Sequence, residues 1–463
     1  MMHPTNREVV SGSFRDPSGF VFRQDGVLYR QVNDRYAGDY DHLLGSGLYE
    51  HLVAAGLLIP HEEVALPAPK PELAYKVLQP DAVPFISYPY EWCFSQLKDA
   101  ALTLLRIQKT CMDFDMSLKD CSAYNIQFVN GKPVLIDTLS FEKYREGSPW
   151  VAYRQFCQHF LAPLALMAYK DARLNGLLRV FIDGIPLDVA SSLLPSRTHL
   201  SFTLLSHIHL HARSQKRFAD RTTGVGSYRM RRSALTGVIE SLSSAVNKLK
   251  WEPHKTEWAE YYEHTSYSRE AFERKKQLVG ELLDRIDPQS VWDLGANVGI
   301  FSRLASDRGI QTVSLDVDPA AVEKNYLASV RNKETCLLPL VLDLTNPSPA
   351  IGWENDERMS LAQRGPADTV IALALIHHLT ISNNVPFDRV AGFFSRISRN
   401  LIAEFVPKTD PQVQRLLATR EDIFTDYSET ALEREFGRHF SILDSLRIGD
   451  SGRVLYLMTV KES

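Results

Sequence analysis

The stretch Ser290–Asn325, "SVWDLGANVGIFSRLASDRGIQTVSLDVDPAAVEKN", sets the reading of the whole chain. An apolar run ends in Asp293, a tight turn carries Gly295 and Gly299, a helical pattern follows, and a second apolar run ends in Asp316. That order spells a β-α-β unit. Glycines lack a Cβ and let the backbone come close to a bound molecule, while the helix start behind them offers unpaired N–H groups and a positive dipole end. The turn is expected to hold a ligand, and everything C-terminal to it reads as the rest of one sheet.

Working downstream, "LLPLVLDL" supplies a strand that runs into Asp343 and Leu344, and "ADTVIALALIHHL" supplies another that runs into His377 and His378. "NLIAEFVP" leaves Glu404 and Phe405 at the same end of a further strand, and "FSILDSLRIGDSGRVLYLMTV" reads as a closing pair of strands. Immediately upstream, "WAEYYEHTSYSREAFERKKQLVGELLDRI" from Trp258 is a polar-aromatic entry into an amphipathic helix.

With these residues in place, 258–463 resembles the class I S-adenosylmethionine-dependent methyltransferases, an α/β fold with a Rossmann-like sheet and a terminal antiparallel hairpin. The resemblance rests on the acidic-x-Gly-x-x-x-Gly run Asp293–Gly299 after the first strand. It implies S-adenosyl-L-methionine as cofactor, with Asp293, Gly295, Asn297 and Gly299 around its amino-acid portion and Asp316 taking both ribose hydroxyls. It also implies Asp343 and Leu344 at the adenine, and it turns the His377–His378 loop toward the reactive methyl. Either histidine is then a candidate base or acceptor-orienting group for a hydroxyl acceptor, and Glu404 is a further candidate. A dinucleotide-binding oxidoreductase is the rival, but its G-x-G-x-x-G fingerprint has Asn297 where a second glycine belongs.

The N-terminal half has a second centre. "SLKDCSAYNIQFVNGKPVLIDTLSFE", Ser117–Glu142, sets Asp120 and Asn125 on a loop, a hairpin about Asn130-Gly131, and Asp137 at the end of its second strand. This resembles the catalytic loop and metal-binding aspartate of kinase-like phosphotransferases. The resemblance implies ATP and Mg²⁺, Asp120 as base, and Asn125 and Asp137 as metal ligands, should that domain be active. The departures are Leu118 two residues before Asp120, Thr138 after Asp137, and Lys76 as the sole tempting ATP-pairing lysine. A plain hairpin with polar turns, or a kinase-like fold kept as a binding module, stays open. Upstream, "GFVFRQDGVLYRQV" reads as a hairpin about Asp25-Gly26. Helices are expected over about 40–58 and 95–110, with a strand at 73–78 between them. Downstream of Pro149 the pattern is mostly helical, and His207, His209 and His211, spaced by two, point apart on a helix and do not converge on one ion.

These readings give an α+β domain over 1–215 that holds the kinase-like resemblance, a basic linker over 216–257 with Arg229, Arg231 and Arg232, and a methyltransferase domain over 258–463. The arrangement also resembles methyltransferase-like proteins of host-specificity nodulation and polysaccharide clusters, which implies a glycan, glycolipid or small-molecule acceptor. Three functions follow: a methyltransferase whose first domain presents the acceptor, a bifunctional kinase-methyltransferase, or a scaffold that keeps both folds without turnover.

Composition bounds the rest. At 463 residues the chain exceeds one core, and 44% hydrophobic with 23% charged residues and a net charge of −4 describes an ordinary folded protein with no argument for nucleic-acid binding. Five scattered cysteines without CxxC spacing fit a reducing compartment and no disulfide framework. With no apolar leader in "MMHPTNREVVSGSF" and no run of spanning length, a cytoplasmic setting is expected.

Overall fold

The structure, a computed structural model, describes residues 7–212, 230–253, 269–418 and 421–461. It divides into two compact units, Met1–Glu252 with Ile351–Arg358, and Pro253–Ala350 with Met359–Ser463.

In the first unit, β1 (Arg7–Val9), β2 (Gly19–Gln24), β3 (Val27–Asn33), β4 (His61–Glu63) and β5 (Ala74–Pro80) form a sheet in the order β1-β2-β3-β5-β4, every neighbouring pair antiparallel. The β2–β3 turn has positive φ at both Asp25 (51°) and Gly26 (83°), as a type I′ turn requires. The single helix expected near 40–58 is two, Ala37–Gly45 and Leu48–Ala54, parted at left-handed Gly47 (φ 83°). The Phe94–Asp113 helix buries Leu97, Ala101, Leu104 and Leu105 along one stripe. Beyond it, β6 (Met116–Leu118) pairs with β9 (Phe141–Lys143), and β7 (Ile126–Val129) pairs with β8 (Lys132–Leu135).

The linker expected over 216–257 is corrected in part. Arg232–Lys248 is a helix that buries Leu235, Ile239, Leu242 and Val246, and it packs on the Phe94–Asp113 helix. Of its serines, Ser243 donates back along the helix to Ile239 O, while Ser241 reaches His207. Residues 213–229 and 254–268, which hold the rest of that expectation and the polar-aromatic entry at Trp258, lie outside the described residues. The first unit also takes in Ile351–Arg358: buried Glu357 accepts from Arg15 Nε at 3.0 Å, and the Arg358 guanidinium lies 4.4 Å from the Tyr124 ring centroid.

The second unit is a seven-stranded sheet, built from β10 (Ser290–Leu294), β11 (Gln311–Asp316), β12 (Leu337–Val341), β13 (Ala367–Ala372), β14 (Ser398–Phe405), β15 (Phe440–Arg447) and β16 (Val454–Val460). Its order is β12-β11-β10-β13-β14-β16-β15; the first five are parallel, while β16 runs antiparallel between β14 and β15. Strands covered on both faces read as near-continuous apolar runs, and β10 is buried from Val291 to Leu294. The Arg269–Ile286 helix lays Leu278, Val279, Leu282 and Leu283 onto Val291, Ile371, Ile402 and Leu455 of the sheet. This is the Rossmann-like sheet with a terminal antiparallel pair that the residues implied. The order of strand addition reverses at β10, with β11 on one side and β13 on the other. The crevice outside their carboxyl ends is where open α/β sheets bind ligands.

The glycine turn after β10 is sterically fixed. Gly299 has φ 77°, and a Cβ there would stand 2.5 Å from Asn325 Nδ2, itself held by Ser314 Oγ at 2.9 Å. Gly299→Ala is expected to cost about 1–3 kcal/mol, read as a lower urea midpoint at unchanged slope; a midpoint equal to the parent's would contradict this packing.

Candidate functional site

A cavity of about 300 Å³ opens at the carboxyl ends of β10, β11 and β13. Asp293, Gly295, Ala296, Asn297 and Asp316 line one side, Leu373, Ala374, Leu375 and His378 another, and Phe272, Lys275, Phe301 and Leu416 close it. The Gly295 and Ala296 N–H groups bond Leu315 O at 2.8 and 3.1 Å, which bends the chain over the end of β11. Asn297, left-handed at φ 54°, gives its N–H to Asp316 Oδ2 at 2.7 Å, and Asp318 N–H takes Oδ1 at 2.9 Å. Two backbone donors therefore aim the Asp316 carboxylate. Asp293 is set by Ser302 Oγ at 2.6 Å. Burial pushes both carboxyls up to about 6, opposed by these hydrogen bonds; the neighbouring Asp316 charge adds to the rise at Asp293.

Of the residues the sequence singled out, Asp293, Gly295, Asn297, Asp316 and His378 meet in this lining. Gly299 stands behind it, starting the Ile300–Ser306 helix. Asp343 and Leu344 are not in the lining: Asp343 is exposed, and its Oδ1 accepts from the Thr345 N–H (2.8 Å) and hydroxyl (2.6 Å). His377 is also outside it, with its ring 4.1 Å from that of His378, only 2% exposed, and with a buried Nδ1 that has no hydrogen-bond partner. Burial drives both imidazoles toward the neutral form, pushing His378 down to about 4.

Glu404, a candidate base from the sequence, is corrected. It is fully buried, its Oε2 takes Lys275 Nζ at 2.5 Å and the Ala374 N–H at 2.8 Å, and its Oε1 takes Arg453 Nη1 at 3.2 Å. Arg453 in turn bonds Asp410, which caps the Pro411–Leu417 helix through the Gln412 N–H at 2.8 Å. Ala374 holds an uncommon left-handed φ of 48°. A carboxylate with three donors is an anchor, not a base. Sequence reasoning missed Lys275, because "ERKKQ" offers three successive cations and only packing shows which one turns inward.

In the first unit, Asp120, Asn125 and Asp137 do come together. Asp120 Oδ1 accepts from Ser122 N–H and Gln155 Nε2, each at 2.8 Å, while burial and then the Asp137 charge raise its carboxyl above the usual range. Asp137 Oδ1 carries the Arg30 guanidinium and the Leu139 N–H (3.2 Å), and its Oδ2 carries the Ser140 hydroxyl at 2.5 Å. Asn125 Nδ2 points to the same Ser140 Oγ at 3.3 Å. Magnesium requires octahedral oxygen ligands near 2.0–2.1 Å, and a guanidinium on Asp137 occupies that place with like charge. The residues do not fit the metal. Lys76, the tempting ATP lysine, pairs with Glu63 at 2.6 Å. Among the described residues no cluster of three or more His, Cys, Asp or Glu side chains is arranged to hold a metal. His207 bonds Tyr153 (2.7 Å) and Ser241 (2.9 Å), while His209 bonds Ser191 (2.8 Å) and Thr198 (2.9 Å), so each has separate partners. All five cysteines are free, and no helix among the described residues is long and apolar enough to cross a membrane.

No family model matches the chain. The nodulation protein NoeA of Rhizobium meliloti (strain 1021) is 36% identical over 453 residues, covering 96% of this chain and 95% of the relative. The chain belongs to the NoeA family of nodulation proteins. Three solved structures each align to under half of it. WbdD is 17% identical over 43% of this chain and 42% of its own, with a TM-score of 0.31. Magnesium protoporphyrin IX methyltransferase from Synechocystis PCC 6803, with bound SAH, is 17% identical over 44% of this chain and 93% of its own, with a TM-score of 0.32. The N-methyltransferase NodS of Bradyrhizobium japonicum WM9 is 12% identical over 42% of this chain and 99% of its own, with a TM-score of 0.31.

Two outcomes test this geometry. Glu404→Ala strands two buried cations and is expected to destabilise the second unit by about 3–5 kcal/mol in chemical denaturation; a loss under about 1 kcal/mol would mean the network is not buried as described. Millimolar Mg²⁺ is expected to leave the melting temperature unmoved, since a ligand stabilises only a fold that binds it; a dose-dependent rise that Asp137→Asn abolishes would overturn the poor fit.

Proposed function

We propose that the second unit is an S-adenosylmethionine-dependent methyltransferase. The observation that carries this is the Asp316 carboxylate, aimed by two backbone N–H groups, one of them from the glycine turn beside it, in the lining of the cavity. An ionised carboxylate accepts two hydrogen bonds at once, which suits a vicinal ribose diol, and Asp293 with Asp316 favours a cationic ligand. The cofactor, when bound, supplies a methyl group already activated by a sulfonium. The chain's own share is alignment, exclusion of water by Phe272, Phe301 and Leu375, and a neutral His378 imidazole able to accept or orient an acceptor hydroxyl. We take the acceptor to be a glycan, glycolipid or small molecule that the first unit binds, with the kinship to a nodulation protein in support. Phosphotransfer is not part of this reading, because Arg30 and Ser140 hold both oxygens of Asp137.

Calorimetry with S-adenosylmethionine tests the proposal. The parent should bind, Asp316→Ala should lose at least about 2 kcal/mol of affinity with its two charge-assisted contacts, and an unaffected variant would overturn the assignment. Because burial pushes Asp293 and Asp316 up to about 6, protonation competes with binding; affinity should rise from pH 5 to pH 7 by about tenfold for each carboxylate the ligand needs ionised, and then level off. A flat profile would show that neither carboxylate meets the ligand. His378→Asn should lower turnover with S-adenosylmethionine affinity retained.

A further inference from the structure

The donor cavity is lined by the two carboxylates of Asp293 and Asp316, and among the described residues Lys275 is the one cation in its wall, His378 being neutral. Lys275 is 3% exposed, and its Nζ lies 4.8 Å from the Phe301 ring centroid, so its position is set by an aromatic floor as well as by Glu404. Glu404 does not belong to Lys275 alone: it also receives Arg453 and the Ala374 N–H. A buried cation is stable in proportion to the anionic partners it finds. The charge pattern of the cavity, two carboxylates beside the glycine turn and one ammonium in the same lining, suits a zwitterion better than a plain cation.

We infer that Lys275 binds the ligand's carboxylate, which makes it the residue that distinguishes an amino-acid-bearing donor from one without that group. This deepens the methyltransferase reading and rests on it. Glu404 is then a positioning residue: it holds the ammonium at the wall and fixes the left-handed Ala374 of the facing loop.

The test compares S-adenosylmethionine with its decarboxylated analogue, which keeps the sulfonium, ribose and adenine, by calorimetry on the full chain. The parent should prefer the carboxylated ligand by about ten- to a hundredfold, the worth of one charge-assisted hydrogen bond. Lys275→Met should bind both ligands alike, at the parent's affinity for the analogue. If Lys275→Met has no melting transition, the charge-balanced pair Lys275→Met with Glu404→Gln carries the same comparison. A variant that keeps the parent's preference, or a parent without one, overturns the role of Lys275 while leaving the methyltransferase reading intact. A parent that binds neither ligand overturns both.

Discussion

The second unit is arranged about a charge it cannot expose. Glu404 ends β14 in complete burial, and burying an ionised carboxylate is tolerated only when donors converge on it. They come from three places in the sequence: Lys275 from the helix before the sheet, Ala374 from the loop after β13, and Arg453 just ahead of the last strand, which also donates to the helix-capping Asp410. Lys275, Ala374 and, from the helix that Asp410 caps, Leu416 also line the cavity. A change at any one is felt by the others, since a half-satisfied buried network is worse than none. The cavity owes its shape to this network as much as to the glycine turn.

The turn itself was legible because each residue in "DLGANVG" has a local reason to be there: Gly299 for a conformation that excludes a Cβ, Asn297 for a left-handed backbone, Asp293 for a short strand-end acceptor. Asp316 was legible for the same reason, as the acid closing the next apolar run. What failed was inference by distance along the chain. Asp343 closes a strand in the same way, yet its carboxylate turns to Thr345 in its own loop, because a short hydroxyl two residues on satisfies it locally. Lys275 and the anchoring role of Glu404 depend on contacts more than a hundred residues apart. No periodicity records those.

The first unit shows the same limit in another form. The spacing of Asp120, Asn125 and Asp137 correctly brought three polar side chains to one place, but the residue that determines what they do is Arg30, on a strand far upstream. A motif specifies neighbours within its own loop, whereas an incoming cation changes the chemistry of the group. The Arg232–Lys248 helix was hidden for a related reason: serines at helical positions resemble a linker until Ser243 is seen bonding back to Ile239 and Ser241 reaching His207.

The eight residues Ile351–Arg358 carry a consequence for anyone dividing this protein. They lie between β12 and β13 in the sequence, yet their anchors, Arg15 beneath Glu357 and the Tyr124 ring beneath Arg358, belong to the N-terminal unit. The chain therefore passes between the units three times, and no single cut separates them. A fragment beginning after Glu252 would carry an acid and a guanidinium evolved for partners left behind. A clean excision of the second unit needs that crossing replaced by a short polar turn, and the N-terminal unit on its own needs the peptide returned to it.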